Sequence, residues 1–123
     1  MWQRRETMTE AELQNAVIDL CKLLNYSYYH TYNSRRSVAG FPDLVLVKDR
    51  IIFVELKSEK GRLSPAQAQW RDDIQGAGGE WYLVRPTGLA DFAKVLQRPR
   101  DTTIAGSHGE ADSKSMERVI LPE

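Results

Sequence analysis

The sequence predicts an α/β fold, a mixed sheet of about four strands flanked by helices in the order α-β-β-β-α-β-α. Three observations carry this reading. An amphipathic helical period opens the chain. Two β-prone runs, 43–47 and 51–57, are separated only by the polar Lys48, Asp49 and Arg50. The second of those runs is followed by a capped helix and a further β-prone run, a crossover unit that should be parallel and right-handed and so makes the sheet mixed.

Within residues 9–24, Leu13, Val17, Leu20 and Leu24 recur at spacings of four, three and four, with Ala16 and Cys21 on the flanks. That is the apolar stripe of one helix, with Cys21 a small core residue. Thr9 with Glu12 reads as a capping box at its start, and Thr7 with Glu10 offers the same spacing. Residues 26–32 alternate with tyrosine and threonine and predict a strand. It places Tyr26, Tyr28, His30 and Tyr32 on one face, where tyrosines are more often core than a stacking platform for bases. An irregular basic loop, 33–40, leads into the hairpin. Ser64 caps the next helix, Pro65 occupies its tolerated first position, and Gly76, Gly78 and Gly79 close it after about Gln75. A strand over 81–85 and a helix over 89–96 complete the order, with Trp70 and Trp81 as packing residues. Residues 1–97 therefore form one domain. Residues 98–123 are polar, with no periodic apolar pattern before Val119, Ile120 and Leu121, and predict a flexible tail.

The chain has 123 residues, enough for a single modest core. It shows no apolar run of membrane length and no basic-then-apolar leader, so a soluble, cytoplasmic protein is expected. One cysteine permits neither an internal disulfide nor a cysteine-held zinc. Zero net charge argues against coating nucleic acid by bulk electrostatics. The distribution is uneven, however. Residues 35–62 carry seven basic side chains against four acids, which predicts positive charge around the hairpin.

Alternation along 51–57 puts Glu55 and Lys57 on one face with Phe53, and Ile52, Val54 and Leu56 on the other. A three-residue turn pairs Val47 with Ile51 and sets Asp43 opposite Glu55 on the same face; a two-residue turn would set it opposite Leu56, facing away. Two buried carboxylates repel, and burying them uncompensated costs several kcal/mol or forces a proton onto one. A divalent cation removes the conflict, and oxygen-only ligands favour Mg2+ or Mn2+ over zinc. Lys57 could then orient a water or neutralise charge developing on a phosphate. The bland alternative is an edge hairpin whose acids are merely solvated, but the flanking residues are too apolar for an ordinary solvent face.

Pro42-Asp43, followed after eleven residues by Glu55-Leu56-Lys57 in a helix-then-hairpin context, resembles the PD-(D/E)XK nuclease superfamily. More narrowly, GFPDLVLV, FVELKSEKGRLSPAQAQW and GGEWYLVRP resemble the VRR-NUC family, virus-type replication and repair nucleases similar in core to archaeal Holliday junction resolvases. The likeness runs from about Glu10 to Leu96, and Gly61, Leu63, Ser64, Gln67 and Trp70 in that order sharpen it. The resemblance implies that Asp43 and Glu55 bind the metal, that the Leu56 carbonyl completes its shell, and that Lys57 is the catalytic lysine. It also implies an acid from the first helix. Taking Leu13 as zero, Glu10 projects about 60° to one side and Glu12 about 100° to the other, which favours Glu10 as both metal ligand and catalytic acid. Gln67 is similar to the glutamine this family places beside its site.

Arg35 and Arg36 before the site, and Lys60 and Arg62 after it, are candidates for contacts with the DNA backbone. The reading is a Mg2+-dependent endodeoxyribonuclease. The resemblance points to branched DNA, such as a Holliday junction cut by a symmetric homodimer, and to a phage-encoded protein acting in the host cytoplasm. Two alternatives stand beside it: a non-catalytic nucleic-acid-binding module that keeps the fold, and a restriction-type nuclease. The latter needs a base-reading insert, and the chain offers no obvious one.

Overall fold

A computed structural model describes residues 8–32 and 38–99. Thr7, Arg35, Arg36 and the tail from 100 to 123, including Val119, Ile120 and Leu121, lie outside the described residues. The first helix, α1 (Glu10–Leu24), starts from a complete capping box. The Glu12 N–H donates to Thr9 Oγ1 at 3.1 Å and the Thr9 N–H to Glu12 Oε1 at 2.9 Å. Glu12 is thus engaged, and Glu10 is left free of the cap.

Asn25 ends α1 in the left-handed region (φ 66°), a conformation asparagine tolerates, and the Tyr26 N–H closes the turn on the Cys21 carbonyl at 2.8 Å. Tyr26 therefore belongs to the helix end, and the strand expected over 26–32 shrinks to β1 (Ser27–His30). The Tyr26 ring is buried and its hydroxyl donates to the Leu96 carbonyl at 2.9 Å. Tyr26→Phe should lower stability by about 1 kcal/mol in a denaturant titration, the net value of one such bond.

The sheet runs β1-β2-β3-β4, with β2 (Leu44–Val47), β3 (Ile51–Leu56) and β4 (Glu80–Val84). β1, β2 and β3 are antiparallel neighbours, and β3 and β4 are parallel across α2 (Pro65–Gly76), so the crossover unit forms as expected. A short 3-10 turn (Pro86–Gly88) leads into α3 (Leu89–Gln97). No helix among the described residues is long and apolar enough to cross a membrane.

Each face of the sheet has its own cover. Leu44, Leu46, Ile52, Val54, Leu56, Tyr82 and Val84 meet Leu13, Val17 and Cys21 of α1 and Phe92 and Leu96 of α3 in one core. On the opposite face, Phe41 stands edge-on to Phe53 (centroids 6.1 Å) and to Trp70 of α2 (5.0 Å), and Trp81 is buried. The tryptophans pack, as expected. Of the three tyrosines expected in the core, Tyr26 is buried, whereas Tyr28 and Tyr32 are 40% and 69% exposed. Among the described residues β1 is an edge strand, a position that alternation alone does not reveal.

Candidate functional site

The β2–β3 turn has three residues. Val47 pairs with Ile51 and Leu44 with Val54, so Asp43, one step before β2, stands opposite Glu55. Val54 faces β2, which makes the Asp43–Glu55 position a non-hydrogen-bonded one, where opposed side chains come closest. The side chains alternate, and both acids fall on the α2 side of the sheet.

Four local devices hold Asp43. The Thr31 N–H donates to the Asp43 carbonyl at 2.9 Å, and the Thr31 hydroxyl to the Pro42 carbonyl at 2.8 Å. Pro42 is buried. The Asp43 carboxylate in turn accepts the Leu56 N–H on Oδ2 at 2.8 Å. Thr31 escaped the sequence reading, because a threonine at a strand end carries no signal for a bond across eleven residues.

Glu55 is 1% exposed at the end of β3. Its Oε2 accepts the Gln67 side-chain N–H at 2.9 Å, while its Oε1 is buried without a partner. Gln67 is fixed from both ends. Its Oε1 accepts the Ser64 N–H at 2.8 Å, and its own N–H donates to Ser64 Oγ at 3.1 Å, completing the capping box of α2. Since the Ser64 N–H is a donor only, the amide oxygen must face it, and the NH2 group must face the carboxylate. The cap of α2 therefore orients the partner of Glu55.

Gly40 seats that helix. It adopts φ +86°, and a Cβ there would lie 2.5 Å from the Ala66 backbone carbon. Gly40→Ala should cost about 2 kcal/mol in chemical denaturation, from left-handed strain together with displacement of the first turn of α2. Unchanged stability would show that the first turn of α2 yields freely.

Burial first, and then the Asp43 carboxylate, push the Glu55 carboxyl up to about 9. The Lys57 ammonium offsets part of this, and Glu10 adds a smaller push in the same direction. Glu10, in the first turn of α1, is thus within electrostatic reach of Glu55. No three His, Cys, Asp or Glu side chains among the described residues are grouped so that they could hold a metal ion. The acids that meet directly are two.

That set still suits a hard divalent cation. Glu55 Oε1 accepts no N–H or O–H bond from the described residues around it and the Asp43 carboxylate stands beside it, so the proton that this pairing holds on Glu55 occupies a place that a cation can take. In an extended strand the N–H and C=O of one residue leave on the same side. The Leu56 carbonyl therefore faces the place where β2 ends beside Asp43. Mg2+ is bound by one or two carboxylates and keeps several waters, so two acids and a carbonyl suffice.

The basic residues divide into two groups. Lys57 is half-buried beside Glu55, and Lys60 and Arg62 are exposed in the loop that follows. Lys48 and Arg50 sit at the other end of the hairpin. Lys48 Nζ donates to the Leu24 carbonyl at 3.0 Å, and Arg50 donates to the Val95 and Arg98 carbonyls at 2.8 and 2.9 Å and pairs with Glu80 at 3.2 Å. They cap the C-termini of α1 and α3, where helix carbonyls attract cations. The positive charge expected around the hairpin is thus divided between its two ends, and only Lys57, Lys60 and Arg62 of the described residues lie at the end that carries the acids.

The VRR-NUC domain model matches residues 2–87, more than half of the chain. A solved structure titled a VRR_NUC domain is similar at 22% identity and a TM-score of 0.61, covering 71% of this chain and 96% of that one. At that identity the likeness speaks for the fold. No curated protein matches. With its mixed four-stranded sheet, its paired acids and a family model spanning most of the described residues, the chain belongs to the VRR-NUC domain family.

Proposed function

We propose that this chain is a metal-dependent endonuclease that hydrolyses DNA phosphodiester bonds at the Asp43–Glu55–Lys57 site. The observation that carries the reading is Glu55, a carboxyl buried to 1% exposure with one oxygen unpartnered and a second acid against it. Such an arrangement opposes folding unless function requires it.

The residues divide the work. Asp43 and Glu55, with the Leu56 carbonyl, would hold Mg2+ or Mn2+, and Glu10 from α1, the acid expected from the first helix, would add negative charge nearby without being grouped with them in the metal-free chain. The bound ion would supply Lewis-acid stabilisation of the charge that builds on the phosphate. Gln67 holds the Glu55 carboxylate in one orientation. Lys57 donates to or orients the attacking water and places a positive charge beside the reacting phosphate. Lys60 and Arg62, with Arg35 and Arg36, contact backbone phosphates and set register without reading sequence. The small size favours recognition of shape, hence branched DNA in replication, recombination or repair, cut by a homodimer whose two-fold axis relates two nicks. A cytoplasmic setting, including that of a phage-infected host, and a polar tail over 98–123 that follows a domain over 1–97 belong to the same reading.

The test is a cleavage assay on four-way junctions, flaps, single strands and plain duplex, each with Mg2+, Mn2+ or chelator. Product from branched substrates with either ion, and none with chelator, is expected. Tight binding without product under all three conditions would identify a binding module instead.

A further inference from the structure

Arg85, the first residue after β4, is tied to the loop that follows Lys57. Its Nη1 lies 2.6, 2.8 and 3.2 Å from the carbonyl oxygens of Gly61, Ser58 and Glu59. Two N–H bonds are thus shared among three acceptors converging on one nitrogen. The same loop is fastened again by Glu59, which accepts the Thr87 hydroxyl at 2.8 Å and the Thr87 N–H at 3.2 Å. A surface turn of this length does not need five bonds to stay closed; the Gly61 N–H to Ser58 carbonyl bond, at 3.1 Å, already closes it.

The clamp bears on Lys57 by two routes. The Lys57 N–H donates to the Val84 carbonyl at 3.1 Å, and Leu56 is in register with Val84, so Lys57 and Arg85 lie side by side as the two strands end. Gly61, whose carbonyl is the shortest of the three contacts, packs against the lysine stem. A Cβ placed on Gly61 would lie 3.3 Å from Lys57 Cδ and 3.2 Å from Ser58 Oγ. A lysine on a four-carbon stem otherwise samples many rotamers.

On the nuclease reading above, we infer that Arg85 is a positioning residue for Lys57: by drawing the Ser58, Glu59 and Gly61 carbonyls onto one guanidinium, it lays Gly61 against the lysine stem and confines the ammonium to the site. Asp43 and Glu55 are positioned by Thr31 and Gln67, and Arg85 does the corresponding work for the cation. Arginine suits the task because the two N–H directions of Nη1 are fixed in the guanidinium plane, whereas an ammonium rotates freely at the end of a flexible stem.

The test uses the full chain with Arg85→Met, which keeps the stem and removes the donors, Arg85→Lys, and Gly61→Ala, which crowds the Lys57 stem while leaving Arg85 in place. Two readouts are taken: turnover on the branched substrate at saturating concentration with Mn2+, and the Lys57 ε-methylene signal in a carbon-proton spectrum of the metal-free protein, assigned by its loss in Lys57→Arg. Arg85→Met should lower turnover about tenfold and move the Lys57 signal to the position of freely rotating lysines. Arg85→Lys should fall between it and the parent, and Gly61→Ala should shift both readouts in the same direction. A role in loop stability alone would lower the melting temperature and leave the Lys57 signal in place. An unmoved signal, or parental turnover, in whichever Arg85 variants fold overturns the assignment; if Arg85→Met does not fold, Arg85→Lys decides. Should the parent chain cut nothing, the nuclease reading fails, while the lysine signal still judges the clamp.

Discussion

Lys57→Ala and Asp43→Ala should each lower single-turnover cleavage by about a thousandfold or more while the protein stays folded. The two halves of that expectation come from different parts of the structure. Lys57 makes its hydrogen bond through the main chain, to Val84, so removing its side chain breaks no ladder contact. Asp43 does accept a bond, from the Leu56 N–H, and losing it would cost about 1 kcal/mol on its own. Its carboxylate also helps to hold the proton on the Glu55 carboxyl beside it, so the two groups do not both carry charge at neutral pH. The melting temperature of Asp43→Ala should therefore fall only a little below that of the parent. Asp43→Asn keeps the shape and removes the charge, and it should be as inactive as the alanine variant if charge is what the site requires. Parallel melts and cleavage time courses with Mn2+ provide the check. Cutting at the parental rate by Lys57→Ala or Asp43→Ala would end the mechanism.

Much of this site was legible because its geometry is set locally. Sequence left two turn lengths open, and the three-residue one, which pairs Val47 with Ile51, is the one that forms; alternation then carries Asp43 and Glu55 to the same face. Thr9 and Ser64 were readable as caps for the same reason, since both boxes close within three residues. What lay hidden depends on distance along the chain. Whether Tyr28 and Tyr32 are buried is decided by what packs outside β1, and alternation is silent about that. Lys48 and Arg50 reach carbonyls 24, 45 and 48 residues away, so the charge count of 35–62 could not tell helix caps from phosphate ligands. Gln67 was found by resemblance alone. Its bond to Glu55 spans twelve residues and depends on α2 seating against Gly40.

Glu55→Gln should make the metal-free protein more stable at neutral and alkaline pH, while abolishing cleavage. In the folded chain the Glu55 carboxyl keeps its proton up to about 9, because burial and the Asp43 carboxylate oppose the charge; in the unfolded chain it releases the proton near the ordinary value of 4.5. Between those values the unfolded state binds fewer protons than the folded state, so stability falls as pH rises through the interval, and below 4.5 the penalty vanishes. At pH 7 the penalty is on the order of 3 kcal/mol. Glutamine does not ionise. It keeps an oxygen for the Gln67 N–H and turns an N–H toward the Asp43 carboxylate, so the variant escapes the penalty. The measurement is a pair of denaturant titrations with chelator, from pH 4 to 8.5. The stability difference between parent and variant should be small at the acid end and grow with pH, with other carboxylates cancelling in the comparison. Adding Mg2+ or Mn2+ should restore stability to the parent, increasingly so at higher pH because an ion and a proton compete for the same oxygens, and should do little for the variant. A variant no more stable than the parent at pH 8 with chelator would mean that Glu55 is already satisfied within the fold. In that case its burial would be ordinary packing, and the strongest support for a metal at this hairpin would be gone.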